Sequence, residues 1–450
     1  MENLELTSHD LEIDSLGPPK IPSPLGLSQV FGDNIANYIE DAESVVLELD
    51  AKKIEAAIKK NGYLPAFIKA GPRNTIFFDP SKTRVAIVTC GGLCPGLNNV
   101  IRSLVMELYY RYQVRTIFGM RHGYRGFVSK YALEPVMLTP EAVKGIHEMG
   151  GSFIGSSRGP QDIGEIVDCM ERMNISILFT IGGDGTLHGA EEIYREVEKR
   201  KLPIAVVGIP KTIDNDISYI EKTFGLETAF SVAVEAIRTA HTEAVGYPNG
   251  VGLVKLMGRH SGFIAANAAL ALNEVNFVLI PELPFDLEGP NGFFAALKKR
   301  LLHRGHAVIV VAEGAGQDLF PEAMQKRDES GNMMLQDIGI FLRDQISAFF
   351  KKENIELSMK YIDPSYLIRS VPANAHDAIY CMQLAQNAVH AGMSGYTGIV
   401  VGRWNGEFTL VPLKLANSSR KSLSPEDELW LTVVEATGQP FTMKNDGAQE

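Results

Sequence analysis

The chain has 450 residues, enough for two or three domains and a substantial core. Apolar residues make up 45% and charged residues 22%, ordinary globular usage, and no apolar run reaches the ~18–20 residues of a membrane-crossing helix. A formal net charge of −11 speaks against a broad nucleic-acid surface, and four cysteines are too few for a disulfide framework in a chain this long.

Neither nucleic acid nor membrane is therefore expected as a partner. A phosphorylated small molecule stays open, because such a ligand needs local cations and backbone N–H groups, not a basic protein. The acidic start Met1-Glu2-Asn3-Leu4-Glu5 lacks the apolar core of a secretory signal, and with reduced cysteines it predicts a cytoplasmic protein. Cys90 and Cys94 lie close together, but no second pair lies nearby to complete a zinc site.

Residues 1 to about 30 read as poorly ordered, since Gly17-Pro18-Pro19-Lys20-Ile21-Pro22-Ser23-Pro24 continues neither a helix nor a central strand. Helical patterning is read from Asp33 to Lys60, and residues 1–80 are taken as an extension packed on the main body. From Arg84 onward short β-branched runs alternate with helical stretches. The runs are Val85–Val88, Thr116–Phe118, Ile177–Phe179, Ala205–Val207, Gly252–Val254, Phe277–Ile280, Val308–Val311 and Ile399–Val401. Continuous apolar strands separated by helices predict parallel sheets covered on both faces. The expected fold class is α/β, with two doubly wound Rossmann-like domains plus the extension. The expected boundaries put a nucleotide-binding domain at 81–225 and 368–415, and a sugar-phosphate domain at 226–367 and 416–450. The tail from Thr442 to Glu450 is expected to fray.

Three loops carry chemistry. Thr89-Cys90-Gly91-Gly92-Leu93-Cys94-Pro95-Gly96-Leu97-Asn98 joins the first strand to a helix beginning near Asn99. Glycines let backbone approach a phosphate, and a helix N-terminus supplies N–H groups and partial positive charge. The pattern is neither the dinucleotide nor the Walker fingerprint. Gly151-Ser152-Phe153-Ile154-Gly155-Ser156-Ser157-Arg158-Gly159 is a second such loop, whose Arg158 suits a phosphate clamp. Gly182-Gly183-Asp184-Gly185-Thr186, with Gly189 beyond it, offers a lone carboxylate of the kind Mg²⁺ takes alongside substrate phosphates; the bland alternative is a helix-capping aspartate. The sharpest stretch is Pro210-Lys211-Thr212-Ile213-Asp214-Asn215-Asp216, just past a buried strand. Ligands of open α/β sheets bind outside the carboxyl ends of strands. An extended loop would turn Thr212, Asp214 and Asp216 to one side, so that one carboxylate accepts a proton from an alcohol while the other helps hold a metal.

Cys-Gly-Gly-Leu-Cys-Pro-Gly-Leu-Asn, Gly-Gly-Asp-Gly-Thr, Pro-Lys-Thr-Ile-Asp-Asn-Asp and Met257-Gly258-Arg259, in that order, resemble 6-phosphofructokinases over about residues 70–415. The resemblance is closest to the long-chain, ATP-dependent subgroup with an N-terminal extension, where Ala70-Gly71-Pro72-Arg73 and Tyr361-Ile362-Asp363-Pro364-Ser365-Tyr366 also belong. It implies transfer of the γ-phosphoryl group of ATP to the C1 hydroxyl of fructose 6-phosphate, with Asp214 as general base. Thr212 would position the phosphoryl group, and Asp184 and Asp216 would serve Mg²⁺. Gly92, Arg158, Tyr124, Gly185, Thr186, Gly189 and Lys211 would contact ATP. Met257, Gly258, Arg259, Glu313, Lys360, Tyr366 and Arg369 would bind the sugar phosphate, together with Thr212 and Asp214, and Arg259 would also take part in catalysis. A homotetramer or homodimer is implied, because this family reaches across a subunit interface to the sugar phosphate.

Two departures stand out. Short-chain relatives carry an arginine where this chain has Gly250, and a second where it has Lys360; Lys255 is one candidate for the compensating cation. Arg102 matches an effector-site arginine of those relatives, but the rest of that site is not recognisable. Relatives using pyrophosphate carry an aspartate at position 185, so Gly185 favours ATP, while Lys211 is shared with pyrophosphate users. The alternatives kept are a pyrophosphate-dependent enzyme and a catalytically silent sugar-phosphate-binding subunit. A lipid or NAD kinase, which shares the Gly-Gly-Asp-Gly motif, would have no use for Asp214.

Overall fold

The computed structural model describes residues 6–321 and 334–445. Over these residues the chain forms two compact units. The first holds the residues up to Thr212, then Ile217–Gly225 and Val371–Arg420; the second holds Ile213–Asp216, Leu226–Ser370 and the residues from Lys421 on.

The first unit is built on a sheet of nine strands among the described residues, in the order Ser44–Val46, Ala66–Lys69, Glu407–Pro412, Ile399–Trp404, Ala205–Pro210, Ile177–Gly182, Arg84–Thr89, Thr116–Met120, Val136–Met137. The strands from Ile399–Trp404 to Thr116–Met120 run parallel. Ile177–Gly182 and Ala205–Pro210 are buried along their whole length, as strands covered by helices on both faces must be. The helix Asp184–Lys199 buries Leu187, Ala190, Ile193 and Val197, an apolar stripe at helical spacing. The parallel core is the α/β arrangement expected; the antiparallel edges were not foreseen. Glu407–Pro412 returns from Ile399–Trp404 through Asn405 and Gly406, at φ 48° and 83°, the left-handed pair of a tight hairpin.

The second unit carries a four-stranded, all-parallel sheet in the order Phe277–Leu279, His306–Ala312, Gly250–Leu256, Ser358–Ile362. Phe277, Phe293, Leu297, Leu342 and Phe350 pack its core. The edge strand Ser358–Ile362 was missed because each of its positions is half-buried and its sequence holds no continuous apolar run.

The extension departs from its expected form. The helix runs from Ala51 to Asn61, capped by Asp50 and ended by Gly62 at φ 74°, and does not begin at Asp33. Residues 44–46 and 66–69 instead extend the first unit's sheet, so the extension clusters with that unit. Nor are residues 6–30 without structure: Asp14–Ser15 pairs with Tyr396–Thr397, and Ile21–Pro22 with Thr75–Ile76. Partner strands there satisfy backbone groups of a proline-rich stretch that has no regular structure of its own. Arg73 is buried, donating to Asp41 (2.7 Å) and to the carbonyls of Gly71 and Lys69. Residues 416–420 also belong to the first unit, where Asn417 donates to Glu191 and Arg420 bridges Ile217. The tail is tied at Asn445, whose backbone N–H and amide both donate to Asp286, and Met443 is buried. Residues 1–5 and 446–450 lie outside the described residues. Among the described residues no helix is long and apolar enough to cross a membrane.

Candidate active site

In the first unit three loops at the carboxyl ends of parallel strands are bonded to one another. Thr89 donates to the Gly155 carbonyl (2.6 Å), Ser156 to the Gly91 carbonyl (2.7 Å), and the Gly91 N–H to the Ser157 carbonyl (2.9 Å). Lys211 is buried and its Nζ donates to the Gly92 carbonyl at 2.5 Å. The glycine-rich turn, the 151–159 loop and the start of the Lys211–Asp216 stretch are thus one assembly. Its helix begins at Leu97, two residues before the expected start, after Gly96 at φ 98°. A side chain at Gly96 would meet Cys381 Sγ at 2.6 Å, so this glycine is required by packing. Arg158 stands exposed at the far end of the 151–159 loop. Burial pushes the Cys90 thiol up to about 12, which removes it as a nucleophile.

The Gly182–Gly189 turn separates packing from ligand chemistry. Tyr124 is buried, donates its hydroxyl to the Thr186 carbonyl (2.8 Å), and lies 2.9 Å from where a Cβ at Gly189 would sit. Thr186 is buried too, against Gly182. Tyr124, Thr186 and Gly189 therefore brace the turn from inside. Gly185 differs, because a Cβ on it would meet nothing within 4 Å. Protein packing does not demand glycine here, so the space it leaves is available to a ligand. Asp184 is the first residue of the helix, 29% exposed, where the helix N-terminus favours a negative charge. Arg420, unnoticed in the sequence, donates to it at 2.6 Å, and His188 Nδ1 lies 3.3 Å from its other oxygen.

Asp214 and Asp216 belong to the second unit. Burial along the stretch alternates: Lys211, Ile213, Asn215 and Ile217 are buried, and Thr212, Asp214 and Asp216 half-buried. That period of two is the one expected of an extended loop, although Asn215 itself takes φ 54°. Ser261, fully buried, donates to the Asp214 carbonyl at 2.6 Å, and the Lys421 N–H to the Asp216 carbonyl at 3.2 Å. Two segments distant in sequence thus hold the loop from either end. The donor set suits a metal that arrives with its ligand. Among the described residues no three acidic, histidine or cysteine groups cluster into a cage, and Asp184 offers a partly exposed carboxylate of the kind a polyphosphate-bound Mg²⁺ takes.

The other predicted residues of the second unit follow strand ends. Gly258, at φ 131°, accepts from the Gly314 N–H (3.1 Å), and the Glu313 N–H donates to the Leu256 carbonyl (2.9 Å). A side chain at Gly314 would fall 1.9 Å from the Arg259 carbonyl, so the Met257–Arg259 and Glu313–Gly314 turns are locked together. Burial raises the Glu313 carboxyl above its usual range, against the opposing pull of Arg259, Lys255 and Arg369. Arg369 lies over the exposed Tyr366 ring at 4.8 Å, and Arg259 Nη2 is buried with no hydrogen-bond partner. Cations acting on one half-buried carboxylate form a set that suits a polyhydroxylated anion. Glu313→Gln is expected to raise the melting temperature of the ligand-free protein at neutral pH. The folded state holds the proton more tightly than the unfolded chain, so charging Glu313 costs stability as pH rises through its raised value. The gain should vanish below the ordinary glutamate range; thermal melts at pH 7 and pH 4 check this.

Lys360 stands apart from this group, whereas Lys255 acts on Glu313 from within it. Lys360 pairs in register with Gly252, inside its strand, and its Nζ lies 3.8 Å from Glu243 and over the Tyr247 ring, both near the amino end of the Gly250–Leu256 strand. Lys255, the candidate for the compensating cation, is paired in the ligand-free protein. Burial lowers its basicity, but ion pairs to Asp363 (2.9 Å) and Asp337 (3.0 Å) outweigh that and hold the ammonium above its ordinary range. Gly250 has a packing reason: a Cβ there would fall 2.0 Å from the Ala244 carbonyl. Gly250→Arg is therefore expected to destabilise the protein by about 3 kcal/mol or more, not to restore an arginine. Denaturant unfolding measures it.

The phosphofructokinase family profile matches residues 84–392. The ATP-dependent 6-phosphofructokinase of Borreliella burgdorferi is 47% identical over 442 residues, 97% of this chain and 98% of that protein. ATP-dependent 6-phosphofructokinase 7 of Arabidopsis thaliana is 44% identical, covering 96% of this chain and 88% of its own. Among solved structures, pyrophosphate-dependent phosphofructokinase from Marinobacter aquaeolei superposes with a TM-score of 0.64 at 18% identity, over 79% of this chain and 91% of that one. The fold, the locked strand-end loops and full-length relatives at this identity lead to one assignment: the chain belongs to the phosphofructokinase family.

Proposed function

We propose that this chain transfers the γ-phosphoryl group of ATP to the C1 hydroxyl of fructose 6-phosphate, a kinase step of glycolysis. The observation that carries the choice of donor is Gly185: outside its chain neighbours and its own helix backbone, nothing lies within 4 Å of where a Cβ would be, which supports room for a nucleotide. The two relatives named above, described as ATP-dependent, support it.

In this reading Asp214 accepts the C1 hydroxyl proton as that oxygen attacks the γ-phosphorus, and the bond to the β-phosphate oxygen breaks. Thr212 orients the transferring group. Gly92 and Arg158 hold its oxygens, and Lys211 fixes the Gly92 backbone from beneath. Arg259, Glu313, Tyr366 and Arg369, with Met257 and Gly258, hold the sugar phosphate. Asp184, with Asp216, would hold Mg²⁺, which when bound supplies charge neutralisation along the polyphosphate. Catalysis is then chiefly positioning and electrostatics, as phosphoryl transfer requires. Lys360, placed by Glu243 and Tyr247, serves a sugar phosphate on a neighbouring subunit, in a homotetramer or homodimer working in the cytoplasm.

Initial rates with fructose 6-phosphate and either MgATP or Mg-pyrophosphate test the reading. Turnover with MgATP is expected; turnover with pyrophosphate alone, or with neither, would overturn it.

A further inference from the structure

The first unit places a guanidinium on the carboxylate that a nucleotide-borne metal would need. Arg420 Nη2 donates to Asp184 Oδ2 at 2.6 Å, and the two side chains are 38% and 29% exposed. Exposed pairs of this kind add little to stability, and the helix N-terminus already favours Asp184 where it is. Arg420 is nevertheless held in place by its backbone. It bridges Ile217, and the preceding Ser419 bonds Ser218 through both its carbonyl (2.9 Å) and its hydroxyl (2.8 Å). The arginine is therefore anchored opposite Ile217, with its guanidinium on Asp184, the residue that precedes Gly185.

A divalent cation and a guanidinium compete for one carboxylate unless an anion comes between them. A polyphosphate is such an anion, and the fork of an arginine fits its oxygens. We propose that Arg420 is a nucleotide-phosphate ligand that rests on Asp184 in the ligand-free protein, so that the site takes the metal well only together with the nucleotide. The proposal deepens the ATP reading and rests on it. Linkage makes the coupling reciprocal, because whatever releases Arg420 from Asp184 favours both partners.

The test uses the full chain and Arg420→Gln, with Mn²⁺ as probe, bound metal read by electron paramagnetic resonance and nucleotide binding by calorimetry. Removing the guanidinium is expected to tighten Mn²⁺ alone by about 3- to 10-fold and to weaken Mn–ATP by about 10-fold or more. Arg420→Lys should recover part of the Mn–ATP affinity, since it keeps the charge and loses the fork. Both affinities unchanged, or both shifted in the same direction with the melting temperature preserved, would overturn the proposal. A parent protein that binds no Mn–ATP would instead remove the ATP reading and the phosphate role with it. The Mn²⁺-only arm would still report whether Arg420 guards Asp184.

Discussion

Asp214→Asn is expected to leave the protein folded and to lower kcat by about 10²- to 10⁴-fold, the usual contribution of a positioned general base. Asparagine has nearly the same shape as aspartate, and the Ser261 contact to the loop is made to the main chain. The Ser261 hydroxyl bonds the Asp214 carbonyl, not its carboxylate. The substitution therefore removes proton acceptance without removing the tether. KM for fructose 6-phosphate should change far less than kcat, because a base that acts as the O–H bond breaks binds the transition state more than the ground state. Ser261→Ala is the natural companion. It keeps the carboxylate and loosens the loop, so its loss should be smaller, about 10-fold. Steady-state kinetics of both variants, with thermal melts as a folding control, check the pair. An Asp214→Asn enzyme running at the parental rate would remove the base assignment, whatever else holds.

The two variants mark the limit of what the sequence makes legible. Strands such as Ile177–Gly182 and Ala205–Pro210 announce themselves because both faces are covered and every position but Thr180 lacks a polar side chain. The half-buried edge strand Ser358–Ile362 does not, and neither do Ser44–Val46 and Ala66–Lys69, which are strands because they complete a sheet begun elsewhere in the chain. The same holds at the site. Gly-Gly-Asp-Gly-Thr and Thr-Ile-Asp-Asn-Asp name their own residues by local pattern. Ser261, Arg420 and the bracing role of Tyr124 depend on contacts between residues tens to hundreds of positions apart, and no local pattern encodes these. Gly250 is the clearest example. As a letter it is a missing arginine; in the fold it is where the end of the Leu226–Val245 helix segment presses on a strand, and no side chain fits.

Gly185 is the opposite kind of glycine, and Gly185→Asp should move stability and function in opposite directions. The new Cβ meets nothing within 4 Å, and the position lies in the first turn of the Asp184–Lys199 helix, where an acidic side chain is favoured. Aspartate is also a better helix residue than glycine by a few tenths of a kcal/mol. The melting temperature should therefore hold or rise slightly. The carboxylate would occupy the space assigned to the nucleotide. At a separation of about 5 Å and an effective dielectric near 20, carboxylate–phosphate repulsion amounts to about 3 kcal/mol, or roughly 100-fold. The steric conflict adds to that, so kcat/KM for ATP should fall by about 100-fold or more. Inorganic pyrophosphate, which lacks the adenosine-bearing phosphate, should be discriminated against far less. Donor kinetics on the purified variant, beside its melting curve, read both effects. Retained ATP turnover in a stably folded Gly185→Asp protein would show that the open space over this glycine is not where the nucleotide lies.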